Sequence, residues 1–247
     1  MKQFSITSLL ALLLFGAAAS AQVPSFRVAV QGGYGYRLGK VAETGQSVVD
    51  HHNQKLKQGF SYGADATWYF SDSFGLGLKF NDLHSMAEDA VTVTPNDGSP
   101  SRSGIYRDVL DMRFMGLMAS SRLVLGESRW LWMMSYGVGY LSYVDNGRII
   151  EAMSIKGGTL GACLETGIDF HLMNNLYLGA SVNAIGGQLS SYQFTENGRT
   201  ETIKLDKDER ESLYHLTASF GLRLYLYAER IKERHRVRAT FFGARTL

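Results

Sequence analysis

The sequence predicts an all-β protein, an eight-stranded antiparallel up-and-down β-barrel that spans a membrane. Three observations predict it: eight segments in which large and small side chains alternate, connections that are alternately short and long, and more bulky apolar side chains on one face than a barrel interior can hold. Glycine is frequent at 27 of 247 residues and proline rare at three, which favours strands.

Composition also excludes some classes of protein. Lys and Arg number 25 against 23 Asp and Glu, and this balance argues against nucleic acid as a partner, because proteins that bind it carry a strong basic excess. The single cysteine, Cys163, excludes an internal disulfide framework and a zinc site of the CxxC type, so we interpret it as a small buried side chain.

The N-terminus has the features of a secretory signal peptide. Lys2 is followed by an apolar run over residues 9–15 and by Ala19-Ser20-Ala21, after which we expect cleavage. No cysteine follows to receive a lipid, and no later apolar run is long enough for a transmembrane helix. The sequence therefore predicts a signal peptide over 1–21, a barrel over 22–228 and a basic periplasmic tail over 229–247.

The eight alternating segments define the predicted strands. They lie near 26–37, 58–70, 74–84, 105–123, 130–144, 157–171, 176–194 and 212–227. Short turns are predicted at 71–73, 126–128 and 172–175, and long polar loops at 38–57, 85–104, 145–156 and 195–211. Short turns on one side and long loops on the other are typical of transmembrane barrels.

The two faces of the predicted strands differ in size and polarity. Because an eight-stranded barrel has room inside for only a limited set of side chains, we expect the bulky apolar face to contact lipid. A soluble two-sheet sandwich is the alternative, but it would leave a glycine-rich outer face. The opposite face predicts a polar network in the lumen, formed by Arg27, Asp65, Lys79, Arg107, Asp111, Arg113, Glu165, Asp169, His215 and Arg223.

Aromatic residues concentrate near the predicted strand ends and suggest two girdles at the membrane interfaces. Near the short turns these are Phe26, Trp68, Phe70, Phe74, Trp130, Trp132 and Phe170. Near the long loops they are Tyr34, Tyr36, Phe60, Tyr62, Phe80, Tyr106, Tyr140, Tyr192, Phe194 and Tyr214.

On the signal peptide, dyad repeat, girdles and alternating loop lengths, the chain resembles the small eight-stranded outer-membrane β-barrel proteins, often termed porin-like, of Gram-negative bacteria. The resemblance implies an outer-membrane location, insertion by the barrel-assembly machinery, contact with membrane lipid and lipopolysaccharide, and long loops that face outside. Members of this family act as narrow channels, adhesins, envelope stabilisers or lipid-modifying enzymes. This chain differs in continuing past its last predicted strand, with a tail that we interpret as a solvated basic extension.

No residue pattern predicts catalysis, a metal site or a cofactor. His84 and Ser85 are adjacent on a strand and so point to opposite faces, and His215 near Ser219 fits a hydrogen-bonded lumen histidine. His51, His52 and His84 could together chelate a metal ion, but adjacent histidines in a polar loop are mostly solvent-exposed, so we predict no metal site.

The prediction for function is a non-enzymatic, monomeric barrel with an envelope-structural or surface-interaction role through its long extracellular loops, which could hold an extracellular ligand. A narrow pore for ions or small solutes is the alternative if the lumen charges form a selective ring and not a plug. A lipid-modifying barrel enzyme is the second alternative.

Overall fold

The computed structural model describes residues 25–39, 47–93, 102–125, 129–148 and 152–227. The predicted signal peptide, the turn at 126–128 and the basic tail over 229–247 lie outside these residues. Within the described part of the chain, no helix is long and apolar enough to cross a membrane.

Eight long strands dominate the structure. They are β1 (Ser25–Arg37), β2 (Gln58–Tyr69), β3 (Phe74–Val93), β4 (Arg102–Val124), β5 (Trp130–Arg148), β6 (Ala152–Met173), β7 (Leu176–Gly186) and β12 (His215–Tyr227). A helix, α1 (Ser47–Lys55), lies between β1 and β2. The connection from β7 to β12 contains β8 (Gln188–Leu189), β9 (Ser191–Glu196), β10 (Arg199–Lys204) and β11 (Glu211–Ser212).

The long strands form a closed antiparallel ring. Each strand from β1 to β7 pairs with the next, β7 pairs with β12, and β12 pairs with β1 along its whole length. Closure leaves these strands without a free edge where they form the ring, which is a requirement for crossing lipid. The predicted eight-stranded up-and-down barrel is confirmed.

The strands differ from the prediction mainly on the long-loop side. β3, β4, β5 and β6 have 19 to 23 residues, whereas β1, β2, β7 and β12 have 11 to 13. A tilted strand needs only about 9–11 residues to cross a bilayer, so the four long strands continue well beyond the membrane. Parts of the predicted loops at 85–104 and 145–156 are therefore strand.

These extensions form what we call the projecting sheet: residues 85–93 of β3, 102–110 of β4, 140–148 of β5 and 152–161 of β6, with β9 and β10. β3 extends past its last pair with β2 at His84, and β6 extends past its last pair with β7 at Ala162. Beyond that point β6 pairs with β9, and β9 pairs with β10. Asn197 and Gly198 have φ values of 50° and 74°, which the tight β9–β10 turn requires.

The prediction of one strand over 176–194 is wrong. β7 ends at Gly186, and the chain then leaves the ring and returns as β9 beside β6. Tyr192 and Phe194 pair with Gly157 and Ile155 on the inward side of the projecting sheet, so their assignment to the outer girdle is also wrong. A break in a strand permits a change of face because side chains alternate with a period of two.

The face assignment of β4 was inverted. Its even-numbered residues point inward, so Leu110, Met112, Phe114 and Met118 are buried. Tyr106 stacks on a buried histidine inside the barrel, so its assignment to the outer girdle is wrong. Its odd-numbered residues point outward, which places Arg107, Asp111 and Arg113 on the outer face and corrects their assignment to the lumen. Large apolar side chains lie on both faces of residues 109–118, and the charges of Asp111 and Arg113 made the odd-numbered face resemble a lumen face, but pairing with β3 and β5 turns that face outward.

The outer wall of the ring is apolar. Leu117, Leu78 and Leu76 are 67%, 61% and 57% exposed, and their neighbours on the same face are also large and apolar. A contiguous apolar surface of this extent is stable against lipid and not against water. On seven of the eight strands the exposed face is the bulky apolar face that was predicted to contact lipid. β4 is the exception.

Candidate functional site

The interior near the short turns holds a cluster of buried charges, here called the ionic zone. It consists of Arg27, Asp65, Lys79, Glu165, Asp169 and Arg223. Arg27 pairs with Asp65 and also approaches Asp169, with 3.4 Å between Arg27 Nε and Asp169 Oδ2. Lys79 Nζ lies 2.9 Å from Glu165 Oε2, and Arg223 Nε lies 3.1 Å from Asp169 Oδ1. The formal charges of the six side chains cancel.

Neutral groups tie the ionic zone to the wall. The Tyr225 hydroxyl donates to Asp169 at 2.8 Å, and Arg223 donates to Gln31 at 2.9 Å and to the Gly179 carbonyl at 2.8 Å. Below this layer, the guanidinium of Arg122 lies 3.9 Å from the centre of the Tyr69 ring. Buried charges are tolerable only when they are paired and hydrogen-bonded in this way.

Toward the long-loop side the interior becomes apolar. This apolar zone consists of Leu56, Leu83, Ala87, Leu110, Met112, Phe114, Met118, Leu141, Tyr143, Cys163, Ile185, Leu189 and Leu213. Glycines opposite the large side chains make the room: a Cβ on Gly137 would lie 2.7 Å from Met118 Sδ, and one on Gly116 would lie 2.6 Å from the Phe114 ring. Bulky side chains therefore fill the interior across this zone.

A second polar cluster closes the top of the interior and is called the mouth cluster. It consists of Arg37, His52, Lys55, Asp89, Asp108, Asp145 and Glu211. Helix α1 supplies His52, whose fully buried ring lies 2.9 Å from Asp89 and 3.2 Å from Asp108 and stacks on Tyr106 at 3.9 Å between ring centres. These contacts hold α1 against β3 and β4.

The pKa values of the carboxyl groups in the mouth cluster are shifted in opposite directions. Burial raises the pKa of Asp145 to about 6, and the nearby Asp108 carboxylate adds to the rise. The hydrogen bond from Lys55 lowers the pKa of Asp89, and the contact with His52 lowers it further. Burial also raises the pKa of Glu211, against the attraction of Arg37.

A third polar cluster lies on the outer face, near the aromatic residues of the predicted girdle on the long-loop side. Arg113 Nε lies 2.8 Å from Asp82 Oδ2, which also accepts a 2.8 Å hydrogen bond from the Tyr62 hydroxyl. Asp111 accepts from Arg113 at 3.3 Å and lies 2.6 Å from His84 Nδ1. Arg113 and Asp111 thus form ion pairs, but on the outside of the barrel.

The remaining predicted site residues are placed as follows. His215 is buried on the inner face, with its Nδ1 3.0 Å from the Leu213 carbonyl oxygen. Eleven of the predicted girdle residues are exposed at outward positions: Phe26, Tyr34, Tyr36, Phe60, Tyr62, Trp68, Phe70, Trp130, Trp132, Tyr140 and Tyr214. Phe74, Phe80 and Phe170 also point outward but are partly buried. A role of these residues at the membrane interfaces stays a prediction.

Sequence reasoning missed the mouth cluster and the apolar zone. Asp89 and Asp145 fell in segments interpreted as loops, and Asp108 fell in a strand whose face was misassigned. Each lies two residues from an inward apolar side chain, Ala87, Tyr143 and Leu110 respectively, and so shares its face. His52 was considered only as a weak metal ligand, and no described group of three or more His, Cys, Asp or Glu side chains forms a metal site. The available signal was the four-residue spacing of His52 in α1 and Leu56 directly after it, which lets both side chains point the same way.

Comparisons with known proteins place this geometry in context. The model of the family described as outer membrane protein beta-barrel domain matches residues 7–205. No curated protein matches the sequence significantly.

Solved structures with the same fold share little sequence with this chain. The outer membrane protein OprG of Pseudomonas aeruginosa superimposes with a TM-score of 0.53 at 11% identity, covering 84% of this chain and 98% of OprG. A major outer membrane protein of Thermus thermophilus gives a TM-score of 0.53 at 12% identity, covering 82% of this chain and 99% of that protein. At such identities the similarity establishes the fold, and the family match places the fold in the bacterial outer membrane.

Proposed function

Because the chain belongs to the outer membrane protein beta-barrel domain family, we propose that it is a closed barrel with a structural or surface-interaction role in the envelope. The observation that carries the proposal is the filled interior. Ion pairs occupy the lower half, apolar side chains the upper half, and α1 covers the top. The projecting sheet then provides the extracellular contact surface, because four strands continue beyond the membrane.

Several further features follow from this proposal. The closed ring leaves no long strand of the wall in need of a partner chain, which supports a monomer. The apolar outer wall supports direct contact with membrane lipid, and insertion would then use the barrel-assembly machinery. A ligand or partner on the cell surface would meet the projecting sheet and the β9–β10 hairpin first.

Conductance in planar bilayers tests the closed interior. The purified full-length protein should give no discrete current steps at any voltage, whereas an open porin measured in the same membranes should conduct. Discrete steps from the wild-type chain would overturn the closed barrel and favour the narrow pore.

Removal of residues 191–204, which form the β9–β10 hairpin, tests the role of the projecting sheet. The shortened barrel should still fold but should make fewer contacts at the cell surface.

One observation favours the pore as a second candidate. Arg27 Nη2, Asp65 Oδ2 and Gln31 Nε2 are buried without a hydrogen-bond partner among the described residues, and buried polar atoms of this kind usually bind water. A hydrated ionic zone would conduct ions only if the packed side chains of the apolar zone above it moved apart to open a continuous path. We therefore rank the pore below the closed barrel.

We propose no catalytic role. The His84–Asp111 pair resembles the base and orienting carboxylate of a hydrolase, but no described serine, threonine or cysteine is hydrogen-bonded to the imidazole of His84. Release of fatty acid from lipopolysaccharide by the purified protein, abolished by His84→Ala, would contradict this and support a lipid-modifying enzyme.

A further inference from the structure

Two arginines face each other across the outer face of the projecting sheet. Arg107 on β4 and Arg148 on β5 are direct register partners, and both are exposed on the outward side. Like charges placed directly opposite each other on neighbouring strands destabilise a sheet. The pair therefore costs stability unless an anion lies between or beside the two guanidinium groups.

Within the part of the chain that the structure describes, neither arginine has a carboxylate partner. Among the described residues, no carboxylate oxygen lies within 4.0 Å of either guanidinium, although Glu88 is the register partner of Arg107 on β3. The hydrogen bond of Arg107 Nη2 goes to Met86 Sδ at 3.5 Å. Arg113, six residues along the same face of β4, is different because Asp82 and Asp111 neutralise it.

The arginine pair borders a groove suited to a hydroxylated ligand. The groove has a volume of about 490 Å³. Val109 and Met153 contribute apolar surface to its lining, and the polar lining comes from Arg107, Arg148, Asn146, Ser154, Thr195 and Asn197. Asn146, Ser154 and Thr195 form one register row beside the pair, with Ser154 Oγ 2.9 Å from Asn146 Oδ1. Hydroxyl and amide groups in such a row match the hydroxyls of a saccharide, and two guanidinium groups match a phosphate.

The position of the groove indicates where its ligand comes from. It lies on the face that, lower down, is the lipid-facing wall, so its neighbours in the membrane are the lipids of the outer leaflet. Arg148 lies eight residues beyond Tyr140 on β5, and at about 3.3 Å per residue this is roughly 26 Å along a tilted strand. The pair therefore stands above the acyl chains, beside the saccharide part of lipopolysaccharide.

We propose that Arg107 and Arg148 bind a phosphate group on the saccharide of lipopolysaccharide in the outer leaflet. Each guanidinium donates through its fork to phosphate oxygens, and the row of Asn146, Ser154 and Thr195 contacts the adjoining sugar. The inference rests on the outer-membrane location and on the sheet as a contact surface. It does not depend on a closed interior, so detection of a current would leave it standing.

Binding of the full-length protein in nonionic detergent to immobilised rough lipopolysaccharide tests the proposal. Arg107→Gln and Arg148→Gln should each weaken binding roughly tenfold, because each removes charge-assisted hydrogen bonds. The same lipopolysaccharide freed of its phosphates should bind wild type and variants alike. Arg148→Lys should lose part of the affinity, because lysine keeps the charge but not the fork.

Lys204→Gln is the matched control, because it removes one positive charge from the same sheet outside the groove. It should leave the affinity within about twofold of wild type, since a distant exposed charge acts weakly. An equal loss in Lys204→Gln and Arg148→Gln would reduce the effect to net charge and overturn the site. Binding of a soluble sulfated disaccharide but not of phosphorylated lipopolysaccharide would overturn the membrane lipid as its ligand.

Thermal or chemical unfolding gives an independent test, because the stability difference between Arg148→Gln and wild type should change sign when the ligand is added. Without a phosphate ligand, Arg148→Gln should raise the unfolding midpoint, because it relieves the repulsion from Arg107. With phosphorylated lipopolysaccharide present, the wild type should be the more stable of the two, since only it binds the ligand fully. A variant that is less stable in both conditions would show that Arg148 has a packing role alone.

Discussion

The two polar clusters inside the barrel contain the same kinds of residue but differ in charge balance. In the ionic zone, three cationic and three anionic side chains cancel, and every member is buried in the wall of the ring. In the mouth cluster, four carboxyl groups face Arg37, Lys55 and one imidazole, and helix α1 supplies both the lysine and the imidazole. A balanced cluster fixes a structure, whereas an unbalanced one responds to pH and to movement of the helix that completes it.

Breaking one ion pair of the ionic zone should have the largest effect. Glu165→Gln leaves the ammonium of Lys79 buried without its partner and should lower the free energy of unfolding by about 3–5 kcal/mol. Replacing both residues, Lys79→Met with Glu165→Leu, should cost far less, because no charge is left buried. Urea unfolding in lipid vesicles, followed by tryptophan fluorescence, measures both. Equal losses in the single and double variants would contradict a paired buried charge.

The apolar zone that separates the clusters can be tested with two methionines of one strand. Met112 is fully buried and Met115 is 64% exposed on the opposite face. Met112→Ala should lower the free energy of unfolding by about 2–4 kcal/mol because it leaves a cavity. Met115→Ala, the control, should cost under about 1 kcal/mol because lipid replaces the lost contacts. The reverse order would restore the face assignment that alternation first suggested.

The mouth cluster should make the stability of the protein depend on pH. The pKa of Asp145 is about 6 in the folded protein and about 4 in an unfolded chain, so the folded state binds this proton more tightly. The resulting stabilisation is fully present below about pH 4 and is lost as the pH rises through about 6.

Asp145→Asn should therefore raise stability near neutral pH, on the order of 1–2 kcal/mol, and should have little effect near pH 4. Asp89→Asn should have the opposite effect and lower the stability near neutral pH. The lowered pKa of Asp89 means that its stabilisation exists at neutral pH and is lost on acidification. Unfolding midpoints across this pH range measure both variants. An Asp145→Asn protein less stable than wild type at neutral pH would contradict the raised pKa.

The smallest effect should come from the helix itself. His52→Gln removes the contacts that hold α1 to Asp89 and Asp108, so amide hydrogen exchange in α1 should accelerate about tenfold while the barrel stays protected. His51→Gln, at the adjacent exposed position, should leave exchange unchanged. If both variants behave alike, the burial of His52 is not what holds the helix.

The sequence by itself determined the eight-stranded membrane barrel and the charges of the ionic zone. Strands such as β1, β2 and β12 alternate cleanly between bulky and small or polar residues, and because side chains alternate with a period of two, that pattern fixes which face meets lipid. Arg27, Asp65, Lys79 and their partners lie on the small face of such strands, so their inward position could be predicted.

Only the tertiary structure decided the face of β4, the mouth cluster and the arginine groove. Residues 109–118 carry large apolar side chains on both faces and the charged Asp111 and Arg113 on the outer one, so pairing with β3 and β5 decides which methionine is buried. The break after Gly186 sends β9 beside β6, which no local pattern specified. Arg107 and Arg148 are 41 positions apart in the sequence and meet only through the register of β4 and β5. Pairing between strands is a long-range choice, and local alternation carries no information about it.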